Sequence, residues 1–475
     1  MNLAGVLRAG ARNRPDHPAI EWAGGTLSYE ALWREVALAA GWLAEHGVEE
    51  GDRVGLCLKE HPAHLVLHFA IPYLGAVLVP MDHRWTDGEK LATGRSMSVK
   101  LLIHEPSATP PQDLASAALP EAWPARDEPP ALTDGGDQIW LVSLSSGTTG
   151  RPKGALVSHQ QMLERFINQW VTLGFNVSDR FYAASPLYFG AGRSFAMCFL
   201  AAGATVVMSP PPQKPAQILR EINELAVTAA FLVPTSLRRI APLAAGSQPA
   251  WPNLRRLVVS GEPLFPDEAA QFRERLCPRL LAYYASSEGG GVSVLQPEDF
   301  GEYSATVGRA GFRLEVEIVD SDGEPLPAGE TGRLRYRGPG LARAFVDEHG
   351  QQQDETGGWF YPGDLASVDS RGFITLRGRE KDVIIRGGVN IYPAEIERLL
   401  GRQPGVAEVA VVGRESEGRG QEVVAFYAGD PDPMTLQAVC KEQLAPYKVP
   451  AEFICLAELP KAGSGKINKK ALPDP

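Results

Sequence analysis

Ser145-Ser146-Gly147-Thr148-Thr149-Gly150-Arg151-Pro152-Lys153-Gly154 follows an apolar, strand-like run, Ile139-Trp140-Leu141-Val142. Four hydroxyls, three glycines and a lysine in one short stretch have little to offer a hydrophobic core. Glycine lets the backbone approach a ligand closely. Consecutive free N–H groups and hydroxyls then form a concave anion cradle, with Lys153 as a movable positive charge. Polyphosphate is the natural guest. The spacing differs from the nucleotide loop in which Gly-Lys-Ser/Thr follows four residues after a glycine.

Working outward, the 475-residue chain is too long for one ordinary core, so two or more domains are expected. Hydrophobic content of 44% and charged content of 22% are those of a globular protein. A formal charge of −11 argues against a duplex nucleic-acid binder, whose affinity relies on basic surface, and leaves room for a local phosphate site. The five cysteines are scattered and lack a Cys-x-x-Cys pair, which favours reduced thiols and a cytoplasmic location over disulfides or zinc. Arg8, Arg12 and Arg14, followed by Pro15 and Pro18, argue against a signal peptide. Phe69–Met81 and Phe195–Met208 are too short to span a membrane and read as a buried helix passing into a buried strand.

Residues 26–104 alternate helical and strand-like patterns: helix over Tyr29–His46, strand over Arg53–Leu58, helix over His61–Tyr73, strand over Val77–Pro80. Residues 105–137 carry seven prolines and read as a surface wrap. Ser158 with Gln161 forms a capping box for a helix to about Trp170. Further strands are expected near 180–184, 204–208, 229–233 and 257–259, and shorter ones near 315–319, 332–336 and 373–376. The last hundred residues read as a small separate α+β unit, with helices from Pro393 and Met434 and strands over 406–412 and 423–427.

Five more segments carry polar or glycine-rich chemistry: Ser260-Gly261-Glu262-Pro263, Tyr284-Ala285-Ser286-Ser287-Glu288, Tyr361-Pro362-Gly363-Asp364, Gly378–Glu397, and the Gly/Lys loop ending in Lys466. With the Ser145–Gly154 loop, in this order, they resemble the adenylate-forming superfamily of acyl-CoA synthetases, carrier-loading adenylation domains and firefly luciferase. The likeness runs from about Leu27 to Leu472.

That resemblance implies an α/β fold: a large N-terminal domain of layered α/β subdomains (1–377) and a small mobile C-terminal α+β domain (378–475). It implies activation of a small carboxylic acid with ATP and Mg²⁺, then transfer to coenzyme A. A rival acceptor is the phosphopantetheine of a separate holo-carrier protein, since the chain stops just after Lys466 and no carrier domain is fused. Ser145, Ser146, Gly147, Thr148, Thr149, Gly150, Lys153 and Ser287 would hold phosphate, and Glu288 would hold the metal as a hard oxygen ligand. Tyr284 would stack on adenine opposite Gly261, Glu262 and Pro263. Asp364, an acceptor-only carboxylate, would take the ribose hydroxyls, with Arg379 beside it. Lys466 would be the catalytic cation, relieving the repulsion between carboxylate and α-phosphate. Lys381 would be the hinge, and Gly387 and Gly388 would line a pantetheine tunnel.

Departures from the family pattern are Ala285 and Ser287 for Gly and Thr, and Pro362 for Thr. Pro186–Arg193 matches the segment that starts the acyl-pocket helix, so Tyr188, Phe189, Gly192, Tyr283 and Ala285 are expected to border a largely apolar slot for a medium-chain or ring-bearing acid. No Asp stands there for an α-ammonium group. Arg193 could pair with a second carboxylate of the acid, but reads more readily as a helix-surface arginine, and Gly289-Gly290-Gly291 reads as open room beyond the metal ligand. His61, His64 and His68 read as satisfied or solvent-facing helix residues and not as metal ligands.

Overall fold

A computed structural model describes residues 1–125, 128–146, 152–209, 213–342, 344–347, 351–354, 358–386, 389–416, 420–461 and 467–473. Two compact units emerge: Met1–Val316 with Tyr336–Phe360, and Glu317–Arg335 with Tyr361–Pro475. The expected boundary at 377/378 falls inside the second of these.

The first unit holds two large sheets. Nine strands run in the order Arg309–Ala310, Gly290–Leu295, Leu280–Ser286, Arg256–Val259, Ala229–Leu232, Arg180–Ala183, Thr205–Met208, Pro18–Trp22 and Gly25–Ser28. From Leu280–Ser286 through Pro18–Trp22 neighbouring strands are parallel, and the edges are antiparallel. The other sheet has eight strands, ordered Gln352–Asp354, Ala344–Val346, Pro152–Ser158, Ile139–Ser146, Val77–Pro80, Arg53–Cys57, Val99–His104 and Ser116–Ala118. Central strands such as Val77–Pro80, Thr205–Met208 and Ala229–Leu232 are buried at every residue. Parallel strands covered on both faces need such unbroken apolar runs.

Helices cover these sheets for reasons visible in their ends and faces. Ser28 caps Tyr29–Glu45 by accepting from the Ala31 N–H at 3.2 Å. That helix buries Leu32, Val36, Ala39, Ala40 and Leu43 along one stripe. The Ser158/Gln161 capping box is formed in both directions at the start of His159–Leu173, and Gly174 ends the helix in the left-handed region (φ 69°). A cap of this kind is worth about 1 kcal/mol. Phe69–Met81 and Phe195–Met208 each contain a helix end followed by a buried strand, as expected.

In the second unit, long antiparallel strands Val406–Ser416 and Gly420–Gly429 form the spine of a five-stranded sheet. Helices Pro393–Gly401 and Pro433–Gln443 supply Ile396, Leu400, Leu436 and Cys440 to its core, beside Val411, Val423, Ala425 and Tyr427. A four-stranded sheet runs Glu315–Val319, Gly332–Arg337, Asp364–Val368, Ile374–Arg379. All five cysteines are free thiols; Cys57, Cys198, Cys277 and Cys440 are buried, and Cys455 is exposed. Among the described residues, no helix is long and apolar enough to cross a membrane.

Candidate active site

The two ends of the Ser145–Gly154 stretch lie on paired strands. Ile139–Ser146 and Pro152–Ser158 pair antiparallel, with Ser145 opposite Lys153 and Ser146 opposite Pro152. The flanking strands reach further into the stretch than the apolar run alone shows, because a hairpin ladder satisfies backbone groups whatever the side chains are. Gly147, Thr148, Thr149 and Gly150 lie outside the described residues. Lys153 is exposed at the start of the second strand.

The other nucleotide-site candidates of this unit gather at the carboxyl ends of the nine-stranded sheet. Val259 is opposite Ala282 in parallel strands, so Gly261, Glu262 and Pro263 leave one strand beside Tyr284 on the next. Ligands of open parallel sheets bind at such carboxyl ends. Gly261 takes a φ of 95°, which favours glycine. The Glu262 carboxylate accepts from Thr235 N (3.1 Å) and Oγ1 (2.7 Å), and Arg238 Nη2 donates to Pro263 O at 3.2 Å. Those contacts fix the turn from the start of helix Pro234–Ile240.

Ser287 and Glu288 occupy the turn between Leu280–Ser286 and Gly290–Leu295. Ser287 is exposed and Glu288 half-buried. The turn is held from several sides. Ser286 Oγ accepts from the Gly289 N–H at 3.0 Å and meets the Tyr336 hydroxyl. Ala342 N donates to Glu288 O at 2.9 Å. Buried Arg165 donates through Nε to Gly340 O (2.8 Å), through Nη1 to Ser287 O (3.3 Å), and through Nη2 to Glu288 O. Burial draws its pKa down to about 10.

Arg165, Thr235 and Tyr336 are absent from the sequence-based candidates. Arg165 did carry a signal: it sits on the buried stripe Met162, Arg165, Phe166, Gln169, Leu173 of its helix. A buried arginine is rare unless its hydrogen bonds are made.

The glycine triplet is filled space, not open room. A Cβ on Gly289 would stand 2.5 Å from the Tyr336 hydroxyl, one on Gly290 would be 3.1 Å from Arg165 Cγ, and one on Gly291 would strike the Tyr283 hydroxyl. Each glycine makes way for a large side chain packed against the strand.

The acyl-pocket candidates lie around the start of helix Gly190–Ala202. Phe189 is its N-cap residue, and a Cβ on Gly192 would collide with Ser185 O at 2.6 Å. The rings of buried Tyr188 and half-buried Phe189 are 4.6 Å apart. Arg84 Nη2 donates to the Tyr188 hydroxyl at 2.6 Å and also pairs with Asp82 at 2.7 Å. Tyr283 is buried and Ala285 exposed. Arg193 corrects the surface reading: it is 3% exposed, and its Nη1 donates to Leu187 O (3.2 Å) and Tyr188 O (3.3 Å). Burial pushes its pKa down to about 9. A first-turn arginine folded back on the preceding carbonyls is held there through Nη1, while its buried Nε finds no hydrogen-bond partner among the described residues. His64 and His68 are fully buried, each with Nδ1 on a main-chain carbonyl, while His61 pairs with Glu105 at 3.2 Å.

In the second unit, Asp364 and Arg379 stand opposite each other on antiparallel strands, with Nε to Oδ1 at 2.9 Å. Arg379 Nη1 also donates to Pro362 O at 2.6 Å. Asp364 is buried and Arg379 is not. Lys381 is exposed in the short 3₁₀ turn Glu380–Asp382. Gly387, Gly388 and Lys466 lie outside the described residues.

No group of three or more His, Cys, Asp or Glu side chains gathers for a metal among the described residues. A single half-buried carboxylate on a fixed turn, Glu288, fits Mg²⁺, which is commonly held by one or two carboxylates together with substrate phosphates and water.

Residues 7–346 match the family model "AMP-binding enzyme", and residues 395–466 match "AMP-binding enzyme C-terminal domain". Feruloyl-CoA synthase from Amycolatopsis sp. is 34% identical over 477 residues, covering 97% of this chain and 96% of that protein. Indoleacetate–CoA ligase from Aromatoleum aromaticum is 30% identical over 501 residues, covering 99% and 97%. Among solved structures, o-succinylbenzoate CoA synthetase from Bacillus subtilis in complex with its acyl-adenylate intermediate superposes with a TM-score of 0.91 at 26% identity, over 99% of this chain and 98% of that one. The protein belongs to the AMP-binding enzyme family, within the adenylate-forming superfamily.

Proposed function

We propose that this enzyme is an ATP-dependent acid–CoA ligase that proceeds through an acyl-adenylate. The observation carrying this reading is likeness over almost the whole chain, phosphate hairpin to terminal lysine loop, to proteins named acid–CoA ligases. In the first half-reaction a carboxylate oxygen attacks the α-phosphorus of ATP, and pyrophosphate leaves. In the second, the CoA thiol attacks the acyl carbonyl, and AMP leaves with the electron pair of the broken C–O bond.

The residues divide that work. Ser145, Ser146, Gly147, Thr148, Thr149, Gly150, Lys153 and Ser287 hold the β- and γ-phosphates. Mg²⁺ at Glu288 would neutralise charge on the departing pyrophosphate. Gly261–Pro263 and Tyr284 clasp adenine, their turn anchored by Thr235. Asp364, an acceptor-only carboxylate paired with Arg379, takes the ribose hydroxyls. Lys466 touches both anions in the transition state. The segment 378–475 acts as a mobile domain pivoting at Lys381, withdrawing Lys466 and bringing Gly387 and Gly388 to the pantetheine arm, so that chemistry and motion are linked. The unpaired cysteines fit a reducing cytoplasm.

Tyr188, Phe189, Gly192, Tyr283 and Ala285 favour an apolar, ring-bearing acid, and the relatives named for feruloyl and indoleacetyl groups support an aromatic one. The test is carboxylate-dependent pyrophosphate release across a panel of aromatic and medium-chain acids, followed by mass spectrometry of the products with CoA or with a purified holo-carrier protein. Release of AMP and formation of acyl-CoA are expected. Transfer only to the holo-carrier would move the assignment to a carrier-loading ligase, and no release with any acid would overturn it.

A further inference from the structure

Arg165 makes one connection that nothing in the reaction scheme above uses. Its guanidinium spans three main-chain carbonyls from two separate segments, Gly340 on one side and Ser287 with Glu288 on the other. Gly290 and Gly340 leave room for its stem, since a Cβ on either would come within 3.1 and 2.8 Å of Arg165 Cγ. One turn earlier on the same helix, Gln161 Nε2 donates to Leu341 O at 2.8 Å. Ala342 N closes the circuit on Glu288 O at 2.9 Å. The chain then continues into Ala344–Val346, which pairs with Gly154–Leu156 of the phosphate hairpin. Helix His159–Leu173 is itself the direct continuation of that hairpin.

Resting on the function proposed above, we infer that Arg165 is a positioning residue that locks the Ser287–Glu288 turn to the phosphate hairpin and so sets where Glu288 meets the metal of Mg·ATP. A buried guanidinium is an expensive way to join two segments, since well-packed apolar groups often serve as well. What apolar packing cannot do is hold three carbonyls in fixed directions. A planar five-donor fork can, and a lysine ammonium cannot match it. The three carbonyls belong to the turn and to the segment behind it, so the lock acts on the main chain and leaves the Glu288 carboxylate available for a cation.

The test compares Arg165→Lys and Gly340→Ala with the wild type. The second variant keeps the guanidinium and crowds its stem. ATP binding without acid is measured by calorimetry with and without MgCl₂, Mn²⁺ binding to the enzyme–ATP complex by electron paramagnetic resonance, and AMP binding without metal as the control. Both variants are expected to lose about 10–100-fold in metal-dependent affinity, the range for residues that orient metal ligands. Metal-free AMP affinity should change less than about twofold, well under the range for a positioning contact. Undiminished metal-dependent binding in both variants, or an equal loss for AMP, overturns the inference. If Arg165→Lys does not fold, Gly340→Ala alone decides. Absence of metal-dependent ATP binding in the wild type would remove the proposed function and this inference together, whereas wild-type binding with unaffected variants removes only the inference.

Discussion

The hydroxyl of Tyr283 occupies the space that a side chain on Gly291 would need. The two residues lie on neighbouring antiparallel strands, Leu280–Ser286 and Gly290–Leu295. Gly291→Ala should therefore destabilise by about 1–3 kcal/mol through overpacking. Tyr283→Phe in the same chain should restore part of that loss. Urea unfolding of the single and double variants measures the coupling, and strict additivity would disprove the contact as its cause.

Acid should unfold the protein partly through its buried imidazoles. Burial holds His68 down to about 3, and His64 also lies well below its ordinary value. A histidine kept neutral in the fold but protonated when unfolded stabilises the fold above the unfolded pKa. That contribution is lost as pH falls below about 6.5, at about 1.4 kcal/mol per pH unit per group, down to the folded value. His68→Gln should be less stable than the wild type at pH 7.5, and the gap should narrow by about 2–3 kcal/mol between pH 6.5 and 4.5. A gap independent of pH would contradict this.

Lys466→Ala should lower acyl-adenylate formation by about 10²–10³-fold. Thioester formation from supplied acyl-AMP should be spared. Separate assays of the two half-reactions decide it, and equal loss in both would refute the role assigned to this lysine.

Asp364→Asn should raise the KM for ATP by about 10–100-fold, the worth of hydrogen bonds to a charged acceptor. If the carboxylate serves the ribose, 2′,3′-dideoxy-ATP should be a poorer substrate than ATP for the wild type and an equal one for the variant. Arg379→Gln should show a smaller effect in the same direction, because it removes the partner that orients Asp364. A dideoxy penalty undiminished in Asp364→Asn would remove Asp364 from the ribose.

Much of the fold was legible because its signals are local. Ser158 with Gln161 announces a helix start, unbroken apolar runs mark 77–80 and 205–208, and Pro393 opens a helix. Of the ordered motifs, Ser260–Pro263 and Tyr284–Glu288 fall at the ends of two adjacent parallel strands, where Val259 stands opposite Ala282. The contacts that hold those motifs were not legible. Arg165 reaches Ser287 and Gly340 across 122 and 175 residues of chain, and no local rule joins them. Arg193 and the glycine triplet were misread for the same reason: polarity and small size signal exposure and space only until tertiary packing supplies partners.

Four thiols withdrawn from solvent and one accessible at Cys455 give the molecule a ready-made single attachment point. A maleimide dye on the native chain should react there first, with no engineered cysteine and no thiol removed from either core. The label reports from the strand Glu452–Cys455, inside the same compact unit as Asp364 and Arg379. Fluorescence from that one address, followed while ATP, acid and CoA are added in turn, would show whether the environment of the unit changes at each step and when.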